Sequence, residues 1–128
     1  MFSDIYTSID KKNNITKMNG YSLKIKPIVD VYETSDSIVL LVEMPQVEKS
    51  ALKVEVENGI LHIQGNKQNH LTEGELVYRE STDVIYDRSF EVENNLDTSR
   101  IQASYNAGVL KLTLPKKEEA KPKTIEIK

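Results

Sequence analysis

The 128-residue chain has no cysteine and no tryptophan, only two phenylalanines, four prolines and two histidines. Each shortage removes a class of function. Without cysteine there is no disulfide framework, no thiolate nucleophile and no zinc–thiolate site. The longest apolar run is Ile38-Val39-Leu40-Leu41-Val42, far short of the roughly 20 residues that a membrane-spanning helix needs. The opening twelve residues have neither the basic start nor the continuous apolar stretch of a signal peptide, so the sequence predicts a cytoplasmic protein that makes no use of a membrane. Asn14-Ile15-Thr16 matches a glycosylation acceptor, and without export the match has no consequence. Positive charge is also short: 17 Lys and Arg against 20 Asp and Glu leave a formal net charge of -3. Neutralising phosphates takes clustered Lys and Arg, so nucleic acid is not an expected partner.

Catalytic constellations are missing as well. His62 falls on the polar phase of its strand, opposite Leu61 and Ile63, and reads as a solvent-facing strand histidine, while His70 reads as a loop histidine. Neither has the converging carboxylates or imidazoles of a metal site. Asp30 and Glu33 lie on opposite strand phases, which rules them out as an acid–base pair. Gly59, Gly65, Gly74 and Gly108 do not build a phosphate-cradling loop, and no nucleophile elbow accompanies the scattered Ser and Thr. The expectation is a non-enzyme with no cofactor and no metal, whose activity resides in surfaces.

What the chain does have is β patterning. Its 38% hydrophobic and 29% charged content suits one soluble domain with a modest core. Residues 1–26 are polar and rich in Asn and Lys, apart from Phe2, Ile5, Tyr6 and Ile9 at three- and four-residue spacing. That stripe admits either a short amphipathic helix or a disordered arm. From Pro27 onward, short apolar runs alternate with turn residues: 28–33, then 37–44 halted by Pro45, then Leu52, Val54 and Val56 alternating with Lys53 and Glu55. Asn58-Gly59 predicts a tight hairpin turn leading into Leu61 and Ile63. Residues 75–80 read as a short strand inside a long connection. Residues 84–92, 101–105 and 109–114 complete seven or eight strands, which predicts an antiparallel β-sandwich of immunoglobulin-like architecture. Residues 116–128 form a charged extension ending in Ile125-Glu126-Ile127. An extended backbone puts both isoleucines on one face, and the eight-residue spacer 116–123 spans roughly 25 Å. The motif suits an apolar slot at a sheet edge, or is a solvated end with chance isoleucines. Leu52, Val54 and Val56 with Ile101, Ala103 and Tyr105 offer one, or are ordinary inward-facing core residues.

The order of these motifs resembles the small heat shock protein family and its alpha-crystallin domain, of bacterial and plant type, over residues 27–128. The matching stretches are Pro27-Ile28-Val29-Asp30-Val31-Tyr32-Glu33, Met44-Pro45, residues 52–61, Tyr78-Arg79-Glu80, Arg88-Ser89-Phe90, residues 103–110 and Leu114-Pro115, with Ile125-Glu126-Ile127 at the end. The resemblance implies an arm over 1–26, the domain over 27–115 and an extension over 116–128. It also implies an ATP-independent chaperone that holds partly unfolded client proteins. In such a protein Leu76, Val77, Tyr78 and Arg79 pair with Ile28, Val29, Asp30, Val31 and Tyr32 of a second subunit to form a homodimer. Ile125 and Ile127 then anchor dimers into larger homo-oligomers by docking in a groove lined by Leu52, Val54, Val56, Ile101 and Ala103. Phe2, Ile5, Tyr6 and Ile9 would contact clients or other subunits. The rival reading is a β-sandwich co-chaperone adaptor or structural interaction module. The chain departs from the family pattern at Gln46, where Gly is usual, at Val84 for Gly, at Tyr86 for Phe and at Glu93 for Pro. Its arm is short beside those of many members and has one Phe.

Overall fold

The computed structural model describes residues 16–18, 22–67 and 73–128. The described residues form two sheets. One carries β1 (Thr16–Met18), β2 (Ser22–Ile25), β7 (Asp83–Glu91), β6 (Ile60–Lys67) and β5 (Val47–Glu57), in that spatial order. The other carries β3 (Val29–Glu33), β4 (Ser37–Glu43), β9 (Val109–Pro115) and β8 (Gln102–Asn106). All pairings are antiparallel except β2 with β7.

Alternation explains the layering, because successive strand residues point to opposite faces. Leu40, Val42, Leu61, Ile63, Leu112 and Leu114 are fully buried between the sheets. The register puts Leu40 opposite Leu112 and Leu61 opposite Phe90, so apolar side chains face apolar side chains across each ladder. Asn58 and Gly59 both adopt left-handed angles, φ 52° and 75°, as the predicted two-residue β5–β6 turn requires. Ala107 and Gly108, at φ 51° and 80°, make the same kind of turn between β8 and β9.

Three findings differ from the sequence reading. The sheet begins ahead of Pro27: β2 lies in the stretch read as an arm, and it pairs with β7 because that strand otherwise ends the sheet. Four residues give too short a pattern to register as a strand. The segment around Leu76, Val77 and Tyr78 forms no strand, since a strand exists only in a ladder and this segment pairs with none of the described strands. A 3-10 turn also follows β7, at Thr98–Arg100. The candidate helix carrying Phe2, Ile5, Tyr6 and Ile9, and His70, lie outside the described residues.

Gln46 stands at φ 62°, in the left-handed region that favours glycine, right after Met44-Pro45. The next hairpin touches the same corner: the Met44 N–H donates to the Gly108 carbonyl at 2.8 Å. A Cβ on Gly108 would lie 3.2 Å from Pro45 Cα. Two substitutions at this corner therefore act in opposite directions. Gln46→Gly relieves backbone strain and is expected to raise stability by up to about 1 kcal/mol. Gly108→Ala adds strain and a backbone clash and is expected to cost about 1–3 kcal/mol. Urea midpoints at unchanged slope measure both, and a shift of the same sign for the two variants would contradict this account of the corner.

Candidate functional site: open sheet edges and an exposed tail

A two-sheet sandwich leaves its outermost strands with one unpaired side each. Among the described residues β5 pairs only with β6, and β8 only with β9, so each ends its sheet. Tyr105 ties these two edges together at one end. Its hydroxyl donates to the Met44 carbonyl at 2.6 Å and accepts the Val47 N–H at 3.3 Å. Between the edges, Leu52, Val54, Val56, Ile101 and Tyr105 are half-buried and pack against the core. Ala103 is exposed beside them. Leu52, Val54 and Val56 thus lie on one edge strand and Ile101, Ala103 and Tyr105 on or beside the other, and all of them but Ala103 pack against the core. A cavity of about 510 Å³ lined by Gln102, Ala103, Ser104, Lys111 and Thr113 adjoins β8. It is polar, and of the residues expected to line a groove only Ala103 borders it.

The opposite flank carries a third open edge. Among the described residues β3 pairs only with β4, and it exposes Val31 and Tyr32, with Ile28 exposed just before it. Val29 is half-buried against the core and Asp30 is exposed. In the connection before β7, Leu76, Val77 and Tyr78 are exposed, Val77 to 92%. The Tyr78 hydroxyl donates to Glu80 Oε1 at 2.8 Å. Two segments rich in apolar residues, 28–32 and 76–78, therefore stand largely unburied in the single chain. At the C-terminus Ile125 is 83% and Ile127 94% exposed, so the tail does not sit in its own groove.

The expectation for His62 needs correction. His62 is half-buried, with Nε2 3.0 Å from Oδ1 of Asp87. Asp87 is only 3% exposed although it lies on the face of β7 away from the core. Gln64 donates to its other oxygen at 3.1 Å, and the Lys24 ammonium lies at 3.5 Å. The carboxylate thus joins β2, β6 and β7 through side chains. Sequence reasoning missed it because the β6–β7 register, across a connection of some fifteen residues, decides that Asp87 meets Gln64 and His62. Arg88 also ties in the chain's entry: its guanidinium donates to the Pro27 carbonyl at 2.9 Å and lies 5.0 Å from the Phe90 ring centre. Among the described residues no three His, Asp or Glu side chains converge as a metal site would require, and no helix is long and apolar enough to cross a membrane.

Comparison with known proteins agrees with this geometry. The Hsp20/alpha crystallin family profile matches residues 30–128. Among curated relatives, a probable 15 kDa heat shock protein of Leptospira interrogans is 34% identical over 122 residues, covering 93% of each chain. A 17.7 kDa class II heat shock protein of Arabidopsis thaliana is 36% identical over 77% of this chain and 67% of its own. The solved structure of heat shock protein 16.0 from Schizosaccharomyces pombe superposes with a TM-score of 0.62 at 33% identity, covering 81% of this chain and 99% of the other. A small heat-shock protein from Xylella fastidiosa gives 0.59 at 26% identity, covering 80% and 95%. A two-sheet sandwich with this motif order defines the alpha-crystallin class. The chain belongs to the Hsp20/alpha crystallin family, the small heat shock proteins, which are non-enzymatic chaperones of the stress response.

The Asp87 cluster generates a stability prediction. Asp87→Ala leaves the Gln64 amide and the largely buried Lys24 ammonium without their common acceptor, at an expected cost of about 1–3 kcal/mol. His62→Gln, which keeps a donor at the same place, is expected to cost less. Chemical denaturation ranks the two, and a smaller loss for Asp87→Ala than for His62→Gln would show that the carboxylate does not organise the cluster.

Proposed function

We propose that this chain is an ATP-independent holdase that binds partly unfolded proteins and keeps them from aggregating. The observation that carries this reading is the coexistence, in one chain, of open strand edges and unburied apolar segments that fit them. Unfolding clients expose apolar surface and unpaired strands, and such surfaces associate unless covered. Open edges lined by apolar side chains can cover them by strand addition, which needs no nucleotide.

The same features support self-assembly. Residues 76–79 of one copy add to the β3 edge, residues 28–32, of a second copy, and each segment gains the ladder partner it lacks within its own chain. Ile125 and Ile127 of one dimer then dock between β5 and β8 of another, against Leu52, Val54, Val56, Ile101 and Ala103. Burying two isoleucines contributes on the order of 3–6 kcal/mol before the entropy of association is subtracted, so each docking event is weak and reversible. The described high-order structure of the Xylella fastidiosa relative fits an assembling protein. Phe2, Ile5, Tyr6 and Ile9 supply further client or subunit contacts, and the protein acts in the cytoplasm.

At equimolar ratio to a heat-denaturing client and without ATP, the protein is expected to suppress light scattering, and unchanged scattering across several client types would sink the holdase reading. Ile125→Ala combined with Ile127→Ala is expected to reduce native mass to that of a dimer with the sandwich still folded. A monomeric native mass for the unmodified chain would favour a co-chaperone adaptor instead.

A further inference from the structure

The spacer 116–123 looks, in sequence, like a free tether of roughly 25 Å. Its first two residues are tied to the domain, and the next four close a turn on themselves. The Lys116 N–H donates to the Asp36 carbonyl at 2.7 Å, and the Lys117 N–H donates to the Asn95 carbonyl at 2.8 Å. In return the Asp97 N–H donates to the Pro115 carbonyl at 2.7 Å, and Leu96 bridges Lys116. The Lys116 ammonium, mostly covered, lies 3.0 Å from Glu33 Oε2 at the end of β3. The chain then makes a 3-10 turn at Glu118–Ala120, closed by Ala120 N–H to Lys117 carbonyl at 2.8 Å and Lys121 N–H to Glu118 carbonyl at 3.3 Å. The Lys121 ammonium lies 2.9 Å from Glu118 Oε1.

The loop that receives this segment is itself held. Leu96 is buried, and Asp97 accepts from the Ser99 N–H, the Ser99 hydroxyl and Arg100. The Ser99 hydroxyl first, and Arg100 next, hold the Asp97 carboxyl at about 2 instead of the usual 3.8. A lowered carboxylate pKa stabilises the fold above its unfolded value, so this contact is complete above 3.8 and is lost only as pH falls through about 2. Glu118 is lowered too, by the Lys121 hydrogen bond and then by its charge.

We propose that residues 115–121 are a bracket that places the hinge of the tail at Pro122 and so determines which groove the anchor can enter. The proposal rests on the anchor reading given above. Past Lys121 only Pro122, Lys123 and Thr124 precede Ile125, four Cα steps that reach roughly 14 Å at most. The tail's partner is a second copy of this chain whose β5–β8 groove opens within that distance of Lys121. Both isoleucines stand exposed in the single chain, as a segment aimed at another copy does. A short tether also raises the effective concentration of the anchor at a groove it can reach and excludes the others. The bracket therefore restricts the number of subunit arrangements. Because Lys116 contacts Glu33 and Asp36, it also ties the tail to the hairpin whose β3 edge receives the second subunit.

Lys117→Pro tests this with little collateral change. Lys117 already stands at φ -62° and ψ 149°, which proline adopts without strain, and the substitution removes only the N–H that reaches Asn95. In the full-length assembly the variant is expected to exchange the amide hydrogens of Lys116, Ala120 and Lys121 about tenfold faster or more. Core amides such as Leu40 and Leu112 stay unchanged, and the native mass distribution broadens to more subunit numbers. Lys116→Gln, which keeps every amide and removes only the ion pair with Glu33, is expected to act in the same direction and less strongly. Exchange that is already unprotected in the unmodified chain overturns the bracket. Faster exchange with an unchanged mass distribution overturns its positioning role. Native mass unaffected by the double alanine variant at 125 and 127 overturns the anchor reading, and the exchange experiment still reports on the bracket itself.

Discussion

Two sheets packed face to face can bury their inner side chains completely, yet they cannot satisfy the outer edges of their own terminal strands. That constraint governs this molecule. Leu40, Val42, Leu61, Ile63, Leu112 and Leu114 close the interior, and the burial that stabilises the fold leaves β3, β5 and β8 each with one unpaired side. A barrel would remove those edges by closure. This chain keeps them, and the side chains beside them remain apolar: Val31 and Tyr32 along β3, Val54 and Val56 along β5, Ile101 and Tyr105 around β8.

The details around the edges follow from keeping them ordered while unpaired. Tyr105 pins β8 to the start of β5 through one hydroxyl with two backbone partners. Gln46 accepts a strained angle at the corner where Met44 meets Gly108. On the far flank, Asp87 gathers His62, Gln64 and Lys24, so that β2 is held to the sheet by a buried ion pair as well as by its short parallel ladder. The C-terminal segment is held by backbone bonds to two different loops before it is released. In each case a weak local element is made definite by a contact distant in sequence.

Much of this was legible from residue order. The Asn58-Gly59 turn, the alternation of Leu52, Val54 and Val56, the paired runs 101–105 and 109–114 and the halt at Pro45 all express period-two burial and left-handed turn chemistry. Both are local properties that a short window carries. The family resemblance rested on those same windows and on Met44-Pro45 and Arg88-Ser89-Phe90, and the match over residues 30–128 agrees with it. Other features were illegible for a common reason. β2 is too short to show a period, the 76–78 segment has strand composition and no ladder partner in its own chain, and His62 looks solvent-facing until the register supplies Asp87.

The sequence by itself determined the all-β class, the inward and outward faces of the long strands, the absence of cysteine chemistry and the presence of a terminal Ile-Glu-Ile, because each depends on residue type and spacing along a few positions. Tertiary structure alone decided which strands end their sheets, that Tyr105 and Asp87 cross-link them, and that the charged spacer is tied to the domain at Lys116 and Lys117 before it turns on itself. Those outcomes depend on strand order, register and backbone hydrogen bonds between residues as far apart as Asp36 and Lys116. Such pairings are settled only when the sheets pack, since neither partner carries a local mark of the other.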